Sequence, residues 1–230
     1  MIACTSLATA HAQTASDIIN KHMQALGGPD VFAKVKSVYY EGTLNVMGND
    51  VPTSATLLVG KGFKTVTTFN GMDIIQCFTD TSGWMVNPMA GQTDPTPMPA
   101  DMVKNSKSAL TIGNYLSDYK ANGFKDSLLG RESFDSVNAF KVKLSKPDLE
   151  ITYWFDPNTF YILKTESKTT VSGQDVTTPT TYSGYKKTDV GYVVPTVMGV
   201  SAGGMDMTIT YTKVEVNKEV DPKIFVMPSK

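Results

Sequence analysis

The spacing of apolar residues switches between the two periods of regular structure along the chain, and the switches mark out its elements. From Asp17 to Leu26 the repeat is helical: Ile18, Ile19, His22, Met23 and Leu26 share one face. Thr14 or Ser16 supplies the cap and Gly27-Gly28 the stop. Pro29-Asp30 opens a second short turn through Val31, Phe32 and Val35. From Ser37 the period becomes two, with Val38, Tyr40, Leu44 and Val46 set against Tyr39, Glu41, Thr43 and Asn45. Turns at Gly48-Asn49-Asp50, Lys61-Gly62 and Asn70-Gly71 divide this alternating region, the last being the strongest hairpin signal in the chain. Antiparallel strands are therefore predicted near 37–47, 51–60, 63–69, 72–79 and 84–87.

The alternation stops between Asn87 and Pro99, where prolines 88, 95, 97 and 99 remove backbone donors and predict a loop. Helical spacing returns from Asp101 through Leu110 and again over Thr111 to Tyr119, until Asn122-Gly123 ends it. Strands resume near 126–132, 137–145, 149–155, 160–170, 180–187, 191–198 and 205–216. In the third of these, Leu149, Ile151, Tyr153 and Phe155 oppose Glu150, Thr152, Trp154 and Asp156. In the last, Met205, Met207, Ile209 and Tyr211 alternate with Asp206, Thr208, Thr210 and Thr212. The tail from Val220 to Pro228 is expected to dock as a short segment. About a dozen strands in sequential hairpins, with helices only at the start and in the middle, define a mainly β (α+β) chain whose sheet has to curl. With 230 residues and 41% hydrophobic content, one core accommodates it, and a single domain over 14–230 is expected.

Charge narrows the partners. A formal net charge of -1 with no run of like charge lacks the footprint of a nucleic-acid or anionic-membrane binder. Arg131 is the only arginine, so a bidentate clamp on phosphate or carboxylate has one candidate. Residues 1–13 read as a signal-peptide remnant, with Ala10-His11-Ala12 as the cleavage signal before Gln13. The mature chain is thus expected in the periplasm. Cys4, after Met1-Ile2-Ala3, resembles a lipoprotein-anchoring box, and an outer-membrane lipoprotein is the alternative if that cysteine is lipidated. Past the leader no apolar run reaches the roughly 20 residues that span a bilayer. Cleavage leaves Cys77, expected as a half-buried strand residue, and His22 as the last of their kinds. No disulfide, metal site or cofactor is expected.

Catalytic chemistry has little material. Nucleophilic triads need an imidazole base, and the mature chain has one, on an apolar helix face. Glu41, Asp73, Glu150 and Asp156 are the acids a hydrolase would draw on, yet each sits on the polar side of an alternating strand or in a turn. Asp156-Pro157-Asn158-Thr159 reads as a hairpin corner. What stands out is soft apolar material around the proline-rich break: Trp84, Met85, Met89, Met98, Met102 and Val103. Thioethers adapt to variable apolar shapes. Two readings are open for them: a flap over a hydrophobic cavity, or a seal on one end of the core.

In order along the chain stand a helix ending in Gly27-Gly28, VKSVYYEG entering the first strand, YWFDPNTFYILKTE, YSGYKKTDVGYVVPTVM, and VEVNKEVDPKIFVMP from Val214 to Pro228. This ordered set resembles the LolA/LolB-like superfamily of periplasmic outer-membrane lipoprotein-sorting proteins and covers nearly the whole mature chain. The resemblance implies an incomplete antiparallel β-barrel of about eleven strands, with helices as a lid over a lipid-binding cavity. It implies a carrier, not an enzyme, whose partners are lipid or lipoprotein acyl chains and envelope membrane proteins. A monomer is expected. The family's latch, an early-strand arginine bonded to the lid, is not carried over, because no arginine precedes Arg131 and Lys64 lies on the face opposite Phe63 and Phe69. The expected cavity lining is Val38, Tyr40, Leu44, Leu57, Phe63, Phe69, Trp84, Met85, Met98, Met102, Ile151 and Tyr153. The other readings are an envelope interaction or stress-sensing module without a ligand, and a hydrolase using strand carboxylates.

Overall fold

The structure, a computed structural model, describes residues 13–147, 149–171, 174–202 and 204–229. Cys4 and the expected cleavage signal lie outside these residues.

Helix α1 (Ala15–Ala25) starts on a capping box in which Thr14 and Asp17 exchange hydrogen bonds, and a short α2 (Pro29–Phe32) comes after it. Gly27 and Gly28 separate them at φ 126° and 76°, angles that suit glycine. Six strands come next: β1 (Ser37–Val46), β2 (Asn49–Leu58), β3 (Gly62–Phe69), β4 (Met72–Phe78), β5 (Gly83–Asn87) and β6 (Gln92–Pro97). After α3 (Ala100–Ser106) and 3-10 turns at Lys107–Leu110 and Asn114–Leu116, the chain forms β7 (Lys125–Phe134), β8 (Val137–Lys146), β9 (Leu149–Phe155), β10 (Ile162–Val171) and β11 (Gln174–Ser183). A small hairpin of β12 (Lys186–Lys187) and β13 (Val193–Val194) precedes β14 (Val197–Ala202) and β15 (Met205–Val216).

Thirteen of these strands make one open antiparallel sheet, in the order β6-β5-β4-β3-β2-β1-β15-β14-β11-β10-β9-β8-β7. Two meanders therefore meet where β1 pairs with β15, from Val38 opposite Val216 to Val46 opposite Met207. A bulge at Glu41/Gly42 bends that seam. A Cβ on Gly42 would strike Thr210 O, so the close approach requires glycine there.

The sheet has two edges, β6 and β7, and residues 98–124 run from one to the other over its concave face. Along the way Val103 and Leu110 pack with Phe78 and Met98, Ile112 packs with Val38 and Leu57, and Leu116 and Tyr119 pack with Phe140, Val142 and Leu144. Helix α1 covers the same β7–β9 region through Ile18 and Ile19. The β12–β13 hairpin folds back onto α1, with Val193 N donating to Leu26 O at 2.9 Å. The opposite face carries one core of its own, where Phe225 of the C-terminal 3-10 turn (Pro222–Phe225) packs on Cys77, Trp84 and Val86.

Four expectations need correction. The sheet is open, in keeping with an incomplete barrel, but it holds thirteen strands where about eleven were implied. Residues 92–97, expected as loop, form β6: an edge strand has a neighbour on one side only, so Pro95 and Pro97 are tolerated there. Residues 111–119 hold one 3-10 turn where a helix was expected, because Gly113, Asn114 and Asp118 take positive φ and interrupt the repeat. Cys77 is fully buried, not half-buried, under Phe225.

Candidate functional site

A cavity of about 350 Å³ lies between the concave face and the segment that crosses it. Its floor comes from three neighbouring strands: Ile151 and Tyr153 on β9, Thr165 and Ser167 on β10, Thr180 and Tyr182 on β11. The register explains the grouping, since Tyr153 lies opposite Thr165 and Thr165 opposite Thr180. Its roof is the crossing segment from Ser108 to Leu116. Tyr115 ties that roof to α3 by donating to Asn105 O at 2.9 Å. His22 and Leu26 of α1 form one wall, and Tyr185, Tyr192 and Pro195 another.

Every polar group on this lining is uncharged. His22 is 2% exposed, and burial lowers its pKa to about 4 against the raising effect of its backbone hydrogen bond, so the ring is neutral at physiological pH. Its Nδ1 lies 2.8 Å from Phe160 O. A carbonyl only accepts, so Nδ1 carries the proton and Nε2 is left as an acceptor. Burial raises the Tyr153, Tyr182 and Tyr185 hydroxyls, and Tyr192 to about 12, which keeps them protonated. Tyr185 donates to Ile162 O at 2.8 Å, and Tyr182 and Thr165 share a hydrogen bond of 3.4 Å. Tyr153 is 4% exposed.

Beyond the cavity the concave face continues as an apolar strip. Tyr182 and Thr180 lie opposite Met198 and Val200 on β14, these opposite Ile209 and Met207 on β15, and these opposite Leu44 and Val46 on β1. All six apolar residues of that strip are half-buried, and none is part of a core cluster.

The expected lining residues divide accordingly. Ile151 and Tyr153 line the cavity, Tyr40 packs against the core cluster that holds Tyr192, and Leu44 belongs to the strip. Val38, Leu57, Phe63, Met85 and Met98 are on the concave side but packed into the cores under α1–α2 and α3. Phe69 is half-buried at the β3–β4 hairpin opposite Met72, and Met102 on α3 is 42% exposed. Trp84 is on the wrong face. It sits opposite Cys77, and its Nε1 donates to Phe225 O at 3.0 Å. Neighbouring strand residues point to opposite faces, so Trp84 and Met85 were never able to line one cavity together. Lys64 joins Trp84 there, 5.3 Å above its ring, on the face opposite Phe63.

The pattern reading missed His22 and the hydroxyls of β10 and β11. Thr165 with Ser167, and Thr180 with Tyr182, are two apart and so share a face of their strands, but spacing alone does not say that this face is the inward one. A roomier depression of about 470 Å³ lies elsewhere, between the β12–β13 hairpin and the end of β15. Lys186, Lys187, Asp189, Glu215 and Lys218 line it, and such charges suit water, so the neutral cavity is the better ligand site.

The four acids sit apart from it. Tyr39 donates to Glu41, Thr68 to Asp73 and Lys143 to Glu150, while Asp156 Oδ1 accepts from the backbone N–H groups of Asn158 and Thr159 at 2.8 and 2.7 Å. Asp156 is a hairpin corner. Among the described residues no cluster of three or more histidine, cysteine or acidic side chains is arranged to hold a metal, and no helix is long and apolar enough to cross a membrane.

Solved structures share this architecture. One is an outer membrane lipoprotein-sorting protein domain from Vibrio parahaemolyticus, at 14% identity and TM-score 0.60 over 92% of this chain and 95% of that one. A second is a LolA superfamily protein from Nitrosomonas europaea, at 16% identity and TM-score 0.59 over 94% and 98%. A third, of the DUF1329 family from Desulfovibrio piger, has 13% identity and TM-score 0.59 over 94% and 98%. The sequence matches no protein-family model and no curated protein sequence. At these identities the likeness is one of fold: the chain shares the overall architecture of these three structures.

Proposed function

We propose that the chain is a non-enzymatic periplasmic carrier or binding protein for lipid acyl chains or another hydrophobic ligand, working as a monomer in lipoprotein sorting or a related envelope task. One observation carries this reading: the cavity under the crossing segment runs, strand by strand, into an apolar strip that belongs to no core cluster of the described residues. Apolar surface of this kind, outside the cores, marks a binding face. Its methionines, Met198 and Met207, suit ligands of variable shape. The fold shared with a lipoprotein-sorting domain supports the same assignment.

The mechanism is transfer of apolar surface between shielded sites. Each buried methylene is worth about 0.8 kcal/mol, so an acyl chain of roughly 16 carbons gains about 12 kcal/mol gross. A shallow, adaptable strip forgoes much of this, which keeps release feasible. The void also weighs against a ligand-free module whose own side chains fill the concave face.

Purified protein, extracted and analysed by lipid mass spectrometry, tests the proposal. Co-purified lipid, or affinity of the stripped protein for fatty acyl probes, is expected. Absence of both would overturn it.

A further inference from the structure

We infer that the ligand is an uncharged amphiphile, its hydroxyl- or ester-bearing head in the His22–tyrosine cavity and its tail along the strip of β14, β15 and β1. The inference rests on the carrier reading and adds to it the class and direction of the ligand.

The cavity is the more polar part of this surface. Ser167, Thr165, Thr180, Tyr153 and Tyr182 stand on its lining beside Leu116, Ile151 and Ile162, so a head group placed there has hydroxyl-bearing neighbours that the strip lacks. Tyr153 and His22 both stand on the lining, and the phenol of one and the Nε2 acceptor of the other can pair with a ligand that accepts and donates.

The cavity is unsuited to a charge. Its described lining holds no lysine, arginine, aspartate or glutamate, so a carboxylate or phosphate entering it would leave water without gaining a counter-ion. A neutral head bearing hydroxyls or an ester meets both demands.

The tail's path is set by register. From Tyr182 the row runs through Met198, Ile209 and Leu44 to Val51, five neighbouring strands on one face. At roughly 4.8 Å per strand the row is about 19 Å long, a length that suits a long alkyl chain. No polar residue interrupts it.

Titration of the lipid-stripped full chain with 1-monolauroylglycerol and with laurate at pH 8, by calorimetry, tests this. The two share a tail and differ in head charge. Monolauroylglycerol is expected to bind at least tenfold more tightly, the cost of one unpaired charge in a largely buried site. A Thr180→Val, Tyr182→Phe double variant is expected to lose at least threefold in monolauroylglycerol affinity while leaving that of laurate within twofold. Equal affinities in the wild-type chain would overturn the head-group inference and leave the carrier reading standing. Tighter binding of laurate would do the same. Binding of neither would overturn both. Circular dichroism of the double variant, matching wild type, separates lost contacts from a lost fold.

Discussion

His22 Nδ1 and Phe160 O lie 2.8 Å apart, a bond that joins α1 to the β9–β10 turn across 138 residues of sequence. It fixes the tautomer of a buried imidazole and closes one end of the cavity wall. Because the folded ring titrates near 4 and the unfolded one near 6.5, the unfolded chain holds more protons between those values. Stability is therefore full above pH 6.5 and falls as pH drops toward 4, by up to about 3 kcal/mol from this group. Chemical denaturation at several pH values checks it, with a His22→Gln variant expected to lose that part of the slope. An unchanged slope in the variant contradicts the assignment.

Gly42 makes a comparable demand on the backbone. Its Cβ position is filled by Thr210 O and Tyr211 Cα, at the bulge where the two meanders join. Gly42→Ala is expected to cost about 2–3 kcal/mol in denaturant unfolding, since backbone atoms have to shift to admit a methyl. A loss under about 0.5 kcal/mol would show that the seam adapts more readily than this packing implies.

Trp84 should matter for stability alone. Trp84→Phe removes the Nε1 donor from Phe225 O and leaves it only the weak Cys77 Sγ donor at 3.7 Å, at a cost of about 1 kcal/mol. Ligand affinity is expected to stay unchanged, since the residue faces away from the cavity. A fall in affinity that exceeds the change in folded fraction would contradict that placement.

Tyr153 and Asp156, three residues apart, separate site from scaffold. Tyr153→Ser removes a cavity floor residue and is expected to weaken retention of a lipid probe, whereas Asp156→Asn keeps an acceptor for the Asn158 and Thr159 amides and is expected to leave it nearly intact. The reverse order in a lipid-binding assay contradicts the cavity assignment.

These cases also show which parts were legible in advance. The hairpins were, because period-two alternation and turns such as Asn70-Gly71 are local signals, and α1 was, because Thr14 and Asp17 cap it within one turn. Strand β6 was not: its prolines forbid a central strand, and nothing local reveals that 92–97 lies at an edge. Trp84 was misplaced because the phase of β5 is set by its pairing with Cys77, not by the five residues of the strand itself. The cavity was the least visible. Thr165 and Thr180 read as solvent-facing polar positions until the register of β10 with β11, and the path of 108–116 over them, turn them inward. His22 read as one more apolar helix position for the same reason, since its partner arrives from Phe160.

The central claim is that the concave face receives a hydrophobic ligand. Photo-crosslinking of the lipid-stripped chain with a diazirine-bearing long-chain alkyl probe, with the adducts mapped by peptide mass spectrometry, tests it most directly. The account predicts saturable adducts on Met198, Val200, Met207 and Ile209. Adducts confined to the Trp84–Phe225 face, or none that saturate, would contradict it.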